Sequence, residues 1–191
     1  RQEPLASGWA PAVKRAGDVV GALLALSLCV PLMALVAAWI GLRSRGPVLF
    51  AQVRHGYQGE PFTIWKFRTM DQDADADRPA LPGDARVRNP WLRATHLDEL
   101  PQLWNVLRGE MSLVGPRPML PGEIAREYGA LAHQVLSVRP GMTGPWQVQG
   151  GALGYAARRR LDLDYAATAN ARKDVALMLR TVAVIWRGGG V

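Results

Sequence analysis

The chain has 191 residues, which is enough for one domain with a sizeable hydrophobic core. Its 23 Lys and Arg residues against 16 Asp and Glu residues give a net charge of +7, which indicates an anionic partner: nucleic acid, a phosphorylated substrate or acidic lipid. A single cysteine, Cys29, excludes an intrachain disulfide, and three histidines without zinc-like spacing argue against a Cys/His metal site.

An apolar run dominates the start of the chain. Residues 1–13 are mixed and predict an irregular lead-in, and residues 19–42 are then 24 residues without a charge. About 20 such residues suffice to cross a bilayer. A cleavable signal peptide fits poorly, because no small-residue cleavage site ends the run cleanly. A buried core helix of this length is out of proportion to so small a chain, so the run predicts a membrane helix.

A proline near the middle of this run predicts a bend. Pro31 removes a backbone donor and clashes with the carbonyl of Ser27, whose hydroxyl is able to satisfy the strained backbone. Each half then reaches only about 18 Å, short of the ~30 Å hydrocarbon core. Basic residues flank both ends, so the charges set no orientation across the membrane. We therefore expect a re-entrant, kinked helix over residues 14–45, hinged at Ser27 and Pro31, rather than one straight span.

The next segment reads as a β-hairpin. Residues 47–53 and 62–68 are apolar strand candidates, and two glycines between them supply the turn. The two-residue period of a strand places Lys66 and Arg68 on one face. They are either a solvated strand end or a cationic patch for phosphate.

Residues 71–90 are polar and contain four alternating aspartates, at 71, 73, 75 and 77, which hints at calcium. An EF-hand loop needs glycine at its sixth position and glutamate at its twelfth, where this chain has Ala76 and Pro82. We reject calcium and expect a mobile loop or a short helix with solvated charges.

Two adjacent carboxylates, Asp98 and Glu99, are predicted to lie at the N-terminus of a short helix, which is indicated by leucines spaced along residues 100–107. Thr95 fits a capping-box start, and Pro101 is tolerated in a first helical turn. A helix N-terminus favours an ionised carboxylate and attracts phosphate. Such a carboxylate can attack phosphorus and hold a covalent intermediate. The alternative is that Asp98 is an ordinary helix cap.

Rigid, basic loops follow. In Gly115-Pro116-Arg117-Pro118 two prolines limit the freedom of a guanidinium suited to phosphate, although a plain surface charge is the alternative. Residues 119–136 show helical spacing, and residues 139–147 form a glycine-bearing loop, which is either a structural turn or a wall of a binding site. Residues 170–187 are amphipathic, which suits a helix in the membrane interface or one docked on the core.

Several strings resemble, in order, the motifs of the bacterial sugar transferases, the monotopic phosphoglycosyl transferases that start glycan assembly on polyprenol phosphate. They are FAQVRHG at 50–56, KFRTM at 66–70, LDELPQL at 97–103, NVL at 105–107, MSLVGPRP at 111–118 and RPGMTGPWQV at 139–148. The resemblance covers roughly residues 14–187. The chain departs from the family's pattern at Val30, where a serine usually precedes the proline, and at Gly150-Gly151, where an arginine commonly follows Trp-Gln.

The resemblance and the patterns together imply an α+β fold, mainly helical, with a small β-hairpin or sheet, a re-entrant N-terminal helix and interfacial amphipathic helices. The expected divisions are the lead-in 1–13, the membrane helix 14–45 and a catalytic domain over 46–191. The resemblance implies that Asp98 is the nucleophile, that Glu99 helps bind Mg²⁺ or handles a proton, and that both carboxylates are metal ligands. It implies phosphate or substrate contacts from Lys66, Arg68, Arg93, Arg117, Arg139 and Gln147.

The implied partners are a nucleotide diphosphate sugar, with uridine as the expected base, polyprenol phosphate and acidic lipid headgroups, but not nucleic acid. A homodimer is left open. The implied location is the cytoplasmic face of the bacterial inner membrane. Two other classes stay open on the residues alone: a membrane-anchored basic binding module and a metal-dependent phosphohydrolase.

Overall fold

The computed structural model describes residues 11–70, 87–149 and 153–186. The predicted lead-in up to residue 10, the aspartate-rich stretch 71–86 and Gly150-Gly151 lie outside them. The described part is mainly helical with two small two-stranded sheets, which confirms the α+β class. The helices and strands are α1 Pro11–Arg43, β1 Leu49–His55, β2 Pro61–Phe67, α2 Pro90–Ala94, α3 Gln102–Arg108, β3 Ser112–Val114, α4 Pro121–Tyr128, α5 Ala132–Val135, β4 Gly141–Thr143, α6 Tyr155–Thr168 and α7 Ala171–Trp186.

Helix α1 runs the length of the apolar segment and begins at Pro11, three residues before the predicted start. Among the described helices, it alone is long and apolar enough to cross a membrane. It continues through Pro31 without a break in secondary structure, so the predicted hinge at Ser27 and Pro31 is not marked by an interruption. Its buried residues lie towards its two ends, whereas the stretch around Pro31 is mostly exposed.

A buried polar network fastens the N-terminal end of α1 to the domain. Lys14 Nζ lies 2.8 Å from Asp174 Oδ2 and 3.3 Å from Asp18 Oδ1. Ser112 Oγ donates to Asp18 Oδ1 at 2.9 Å, and Tyr165 Oη donates to Asp174 Oδ1 at 2.7 Å. All but the lysine are nearly fully buried. The network joins α1 to β3, α6 and α7, and it gives Lys14 a structural role.

Arg15, the residue after Lys14, bonds to the C-terminal end of helix α3. Arg15 donates from its two terminal nitrogens to the carbonyl oxygens of Val106 and Leu107, at 2.6 and 2.8 Å. These are among the last carbonyls of α3, and Val106 O also accepts from the capping residue Gly109 N at 3.0 Å. Arg15 therefore fixes α3 against α1.

The predicted hairpin is confirmed. Strands β1 and β2 pair antiparallel with Gln52 opposite Ile64, and the turn between them contains a short 3₁₀ segment, Tyr57–Gly59. Phe62 and Ile64 pack with Ala22 of α1 and with apolar residues of α3, so the hairpin covers one side of the main core. Phe67 belongs to a second core cluster with the C-terminal part of α1.

Two glycine-bearing loops interlock at the parallel β3–β4 pair. Gly115 N donates to Thr143 O at 2.9 Å, and Gly141 N donates to Pro116 O at 2.8 Å. A Cβ placed on Gly115 would lie 2.3 Å from Arg139 O, a backbone atom that cannot move aside cheaply. Only glycine fits this crossing, which holds the 115–118 loop in one position.

The helix predicted over 119–136 is broken. Of the four residues that set its periodicity, Ile124, Tyr128 and Val135 are buried but Leu131 is 38% exposed, and Gly129 with φ +49° separates α4 from α5. A positive φ is easily adopted by glycine and ends a helix.

The amphipathic helix predicted over 170–187 is confirmed as α7, Ala171–Trp186. It docks through Leu177, which packs against the cluster of Val114, Tyr165 and Ala169, and through polar residues, since Asp174 is buried and Thr181 Oγ1 lies 2.6 Å from Thr143 Oγ1. Its apolar face remains exposed, at Val175, Met178, Leu179, Val182, Ile185 and Trp186.

Candidate active site

The two adjacent carboxylates lie in a 3₁₀ turn, Leu97–Glu99, that links α2 to α3. The predicted capping box is wrong. Thr95 Oγ1 donates to two carbonyl oxygens of α2, at 2.8 and 3.2 Å, so it closes the preceding helix. His96, with φ +56°, then reverses the chain, and α3 begins only at Gln102, after Pro101. The carboxylates therefore precede the helix instead of belonging to its first turn.

Asp98 is a buried carboxylate. Burial, reinforced by the neighbouring negative charge of Glu99, raises its pKa to about 6, although the positive charges of Lys66 and Arg93 oppose the shift. At neutral pH the carboxylate is still mostly ionised. Because its pKa is raised, it is also more basic than an ordinary aspartate.

Glu99 is held in the ionised state. Burial opposes ionisation, but an ion pair and hydrogen bond with Lys66, with further help from Arg117 and His96, outweigh it and lower the pKa to about 2. Lys66 Nζ lies 2.5 Å from Glu99 Oε1. The two carboxylates thus have pKa values pushed apart, which is typical of adjacent acids with different tasks.

Three of the six predicted phosphate contacts act on this pair. Lys66 is joined to Glu99 directly, and the charges of Arg93 and Arg117 act on Asp98 and Glu99 respectively. Arg117 is exposed, and its guanidinium carbon lies 5.7 Å from the centre of the Trp146 ring. It is therefore held near the carboxylates yet open to solvent.

Two other predicted contacts are engaged elsewhere. Arg68 is buried and donates to Arg45 O at 2.8 Å and to Ser44 Oγ at 2.5 Å, beyond the end of α1. It lies one residue past the end of β2, so the two-residue period no longer sets its direction. Arg139 Nε donates to Gly109 O at 2.9 Å, and its guanidinium lies over Tyr57. In this structure both arginines support the fold.

Gln147 lies beside the interlocked loops. Its Oε1 is buried without a hydrogen-bond partner, and a Cβ on Gly144 would lie 2.4 Å from it. Its predicted substrate contact stays a prediction.

Sequence reasoning missed two nearby residues. The charge of His96 helps to keep Glu99 ionised. Its position two residues before Asp98 is the feature of the sequence that could have identified it as a site residue. Arg158 lies 4.4 Å from the centre of the Trp146 ring, on the ring that Arg117 also approaches. Nothing local in the sequence marks it out from its two arginine neighbours.

The carboxylate pair suits a magnesium ion that is shared with substrate. Within the described ranges, no group of three or more His, Cys, Asp or Glu side chains is placed to hold a metal. Mg²⁺, however, commonly uses one or two carboxylates, several waters and substrate phosphates. Asp98 and Glu99 fit that smaller set of ligands.

Comparison with known proteins gives a consistent family. The family model described as "Bacterial sugar transferase" matches residues 9–188. The chain is 41% identical over 200 residues to an undecaprenyl-phosphate glucose phosphotransferase of Komagataeibacter xylinus. It is 45% identical over 185 residues to a UDP-glucose:undecaprenyl-phosphate glucose-1-phosphate transferase of Caulobacter vibrioides, and 34% identical over 210 residues to an undecaprenyl-phosphate galactose phosphotransferase of Salmonella typhimurium.

These alignments cover 95, 88 and 99% of the chain but only 37, 68 and 44% of the three relatives. The chain therefore corresponds to less than half of two of them and to about two thirds of the other. The names also differ in the sugar, glucose in two and galactose in one.

Proposed function

Because this chain belongs to the bacterial sugar transferase family, we propose that it moves a sugar phosphate from a nucleotide diphosphate sugar to polyprenol phosphate. The observation that carries the proposal is the pair Asp98 and Glu99, one carboxylate with a raised pKa beside one held ionised, among three cations. The names of the relatives support a UDP-sugar as donor and undecaprenyl phosphate as acceptor. Initiation of a polysaccharide as the role stays a prediction.

The reaction has two displacements. An ionised oxygen of Asp98 attacks the sugar-bearing phosphorus of the donor, the diphosphate bond breaks, and a nucleoside monophosphate leaves. The sugar phosphate then rests on Asp98 as an acyl phosphate. An oxygen of polyprenol phosphate attacks the same phosphorus and frees the carboxylate, so ping-pong kinetics follow. Lys66, Arg93 and Arg117 offset the negative charge that gathers on the phosphates.

Asp98 and Glu99 are the proposed magnesium ligands. A magnesium ion would supply further neutralisation of phosphate charge and would orient the donor. Lys66 pairs with Glu99 Oε1, whereas no ion pair or hydrogen bond from the described part of the chain occupies the other carboxylate oxygen. Chelation with EDTA should abolish turnover, and added Mg²⁺ should restore it.

The proposed site lies against the membrane helix. Leu97, next to Asp98, packs in a cluster with Val36 and Ile40 of α1 and with Leu92 of α2. Lys14, near the other end of α1, contacts the same folded domain. Contacts at both ends support a helix that enters and leaves the bilayer on one side, because a straight span would separate them.

The exposed apolar face of α7 supports a second membrane contact, in the interface beside the embedded helix. Placement at the cytoplasmic face, contact with acidic headgroups and dimerisation stay predictions.

Asp98→Asn tests the nucleophile, because the amide keeps the shape of the side chain and loses its charge. We expect loss of nucleoside monophosphate release and loss of the phosphosugar adduct that mass spectrometry of the intact protein detects. Asp164→Asn, on the exposed side of α6, is the matched control and should behave as wild type. Full turnover by Asp98→Asn would refute the assignment.

The same assay separates the other classes. A phosphohydrolase would release free sugar phosphate without any polyprenol acceptor, and a binding module would release no nucleoside monophosphate at all.

A further inference from the structure

Three side chains form an open surface where α1 meets α2. The rings of Trp39 and Trp91 meet edge to face, with centroids 6.3 Å apart and planes at 84°, and the Arg43 guanidinium lies 4.2 Å from the centre of Trp39. Trp39 and Trp91 are 40 and 41% exposed. We call Trp39, Arg43 and Trp91 the aromatic ledge. Large aromatic side chains gain more from burial than from such half-exposure, so the described protein leaves this surface unfilled.

The aromatic ledge is continuous with the catalytic pair through α2, which has only five residues. Trp91 forms the ledge, Leu92 is fully buried in the cluster that also contains Leu97, and Arg93 acts on Asp98. Three successive residues therefore connect the surface of the membrane helix to the nucleophile. Along the chain, the ledge is separated from Asp98 only by the short helix Pro90–Ala94 and the turn Leu97–Glu99.

The chemistry of this surface matches a long apolar chain with an anionic end. The indole rings offer apolar surface at the end of a membrane helix, the depth at which tryptophan is enriched in bilayers. Arg43 and Arg93 supply positive charge along the same path. We infer that the aromatic ledge binds the isoprenoid chain of the polyprenol phosphate acceptor and directs its phosphate to Asp98. This assignment rests on the proposed function. Because the ledge is connected to Asp98 through α2, it favours the polyprenol phosphate acceptor over bulk phospholipid.

The test is Trp91→Leu in the detergent-solubilised chain, with undecaprenyl phosphate as acceptor and a UDP-sugar as donor. The KM for the acceptor should rise about tenfold, which is about 1.4 kcal/mol. The KM for the donor and the amplitude of nucleoside monophosphate release without acceptor should not change, because the first displacement does not use the ledge. Trp91→Phe should recover part of the acceptor affinity. Trp39→Leu, which removes the facing ring, should reproduce the effect of Trp91→Leu if the latter folds poorly.

Trp186→Leu is the matched control, because that ring is 90% exposed and lies on α7, away from the 97–99 turn. It should leave the acceptor KM unchanged. An unchanged acceptor KM in both ledge variants would overturn the ledge assignment. An equal rise in the ledge and control variants would also overturn it and indicate general lipid anchoring. Absence of nucleoside monophosphate release in wild type would instead overturn the proposed function.

Discussion

Lys14 should be among the most costly single charges to remove from this chain. Lys14→Met keeps the length of the side chain but takes the ammonium away from Asp18 and Asp174, each of whose side chains is only 4% exposed. Removal of one partner from a buried ion pair costs roughly 3–5 kcal/mol, since the remaining charge is buried without compensation. Lys14 itself is 22% exposed and partly screened, so we expect about 3 kcal/mol, the lower end.

Lys173→Met provides a matched comparison. Lys173 Nζ lies 3.1 Å from Asp164 Oδ2, a distance similar to that of the buried pair, but the side chains are 40 and 64% exposed. Exposed pairs contribute about 0–1 kcal/mol. The two lysines therefore have similar pair distances but differ in the burial of their pairs and in the number of carboxylates they meet, two for Lys14 and one for Lys173.

The measurement is equilibrium urea unfolding in detergent micelles, followed by tryptophan fluorescence. At a constant slope, the shift of the midpoint gives the change in the free energy of unfolding. Adding Asp174→Asn to Lys14→Met should recover part of the loss, because it removes one uncompensated charge. Equal midpoints for Lys14→Met and Lys173→Met would refute the argument that burial gives this network its strength.

Three further outcomes follow from the structure. Burial raises the pKa of Asp162 to about 7, so the folded state binds the extra proton between about pH 4 and pH 7. The free energy of unfolding should fall across that range by up to about 1.4 kcal/mol per pH unit and then level off, and Asp162→Asn should flatten this dependence in urea titrations. Gly115→Ala should prevent stable folding, as judged by soluble yield and circular dichroism. Gly122→Ala, with no atom within 4 Å of the added Cβ, should be neutral or stabilise α4 by up to about 1 kcal/mol. Lys66→Met should abolish nucleoside monophosphate release but leave the protein folded. Arg68→Met should lower the free energy of unfolding by about 1–3 kcal/mol and leave the donor KM unchanged. The opposite pattern would contradict the placement of the two residues.

Local pattern predicted much of the fold and of the site. Strand alternation and two glycines located the hairpin, and the 24-residue apolar run located α1. Sequence adjacency brought Asp98 and Glu99 together, and family motifs added Lys66, Arg93 and Arg117. The structure places these charges around one pair of carboxylates.

The misses have physical causes. Thr95 matches the capping-box pattern in the sequence, but its hydroxyl donates to carbonyl oxygens of the preceding helix, so it caps the C-terminus of that helix instead. Arg68 falls just beyond the strand whose period was used to orient it. The partners of Lys14 come from positions 18, 114 and 174, and no local pattern joins segments so far apart.

Attachment of α1 at both of its ends has a consequence for the lipids around it. A free transmembrane helix adapts to a change in membrane thickness by changing its tilt, which costs roughly a fraction of a kcal/mol per ångström of mismatch between helix length and bilayer thickness. Helix α1 is fixed at Lys14 by ion pairs and at Ile40 by packing, which denies it that adjustment. In the membrane placement proposed above, the acyl chains next to its exposed middle would therefore stretch or compress to match the protein. Under the proposed function, the thickness of the bilayer would then influence the rate of sugar-phosphate transfer.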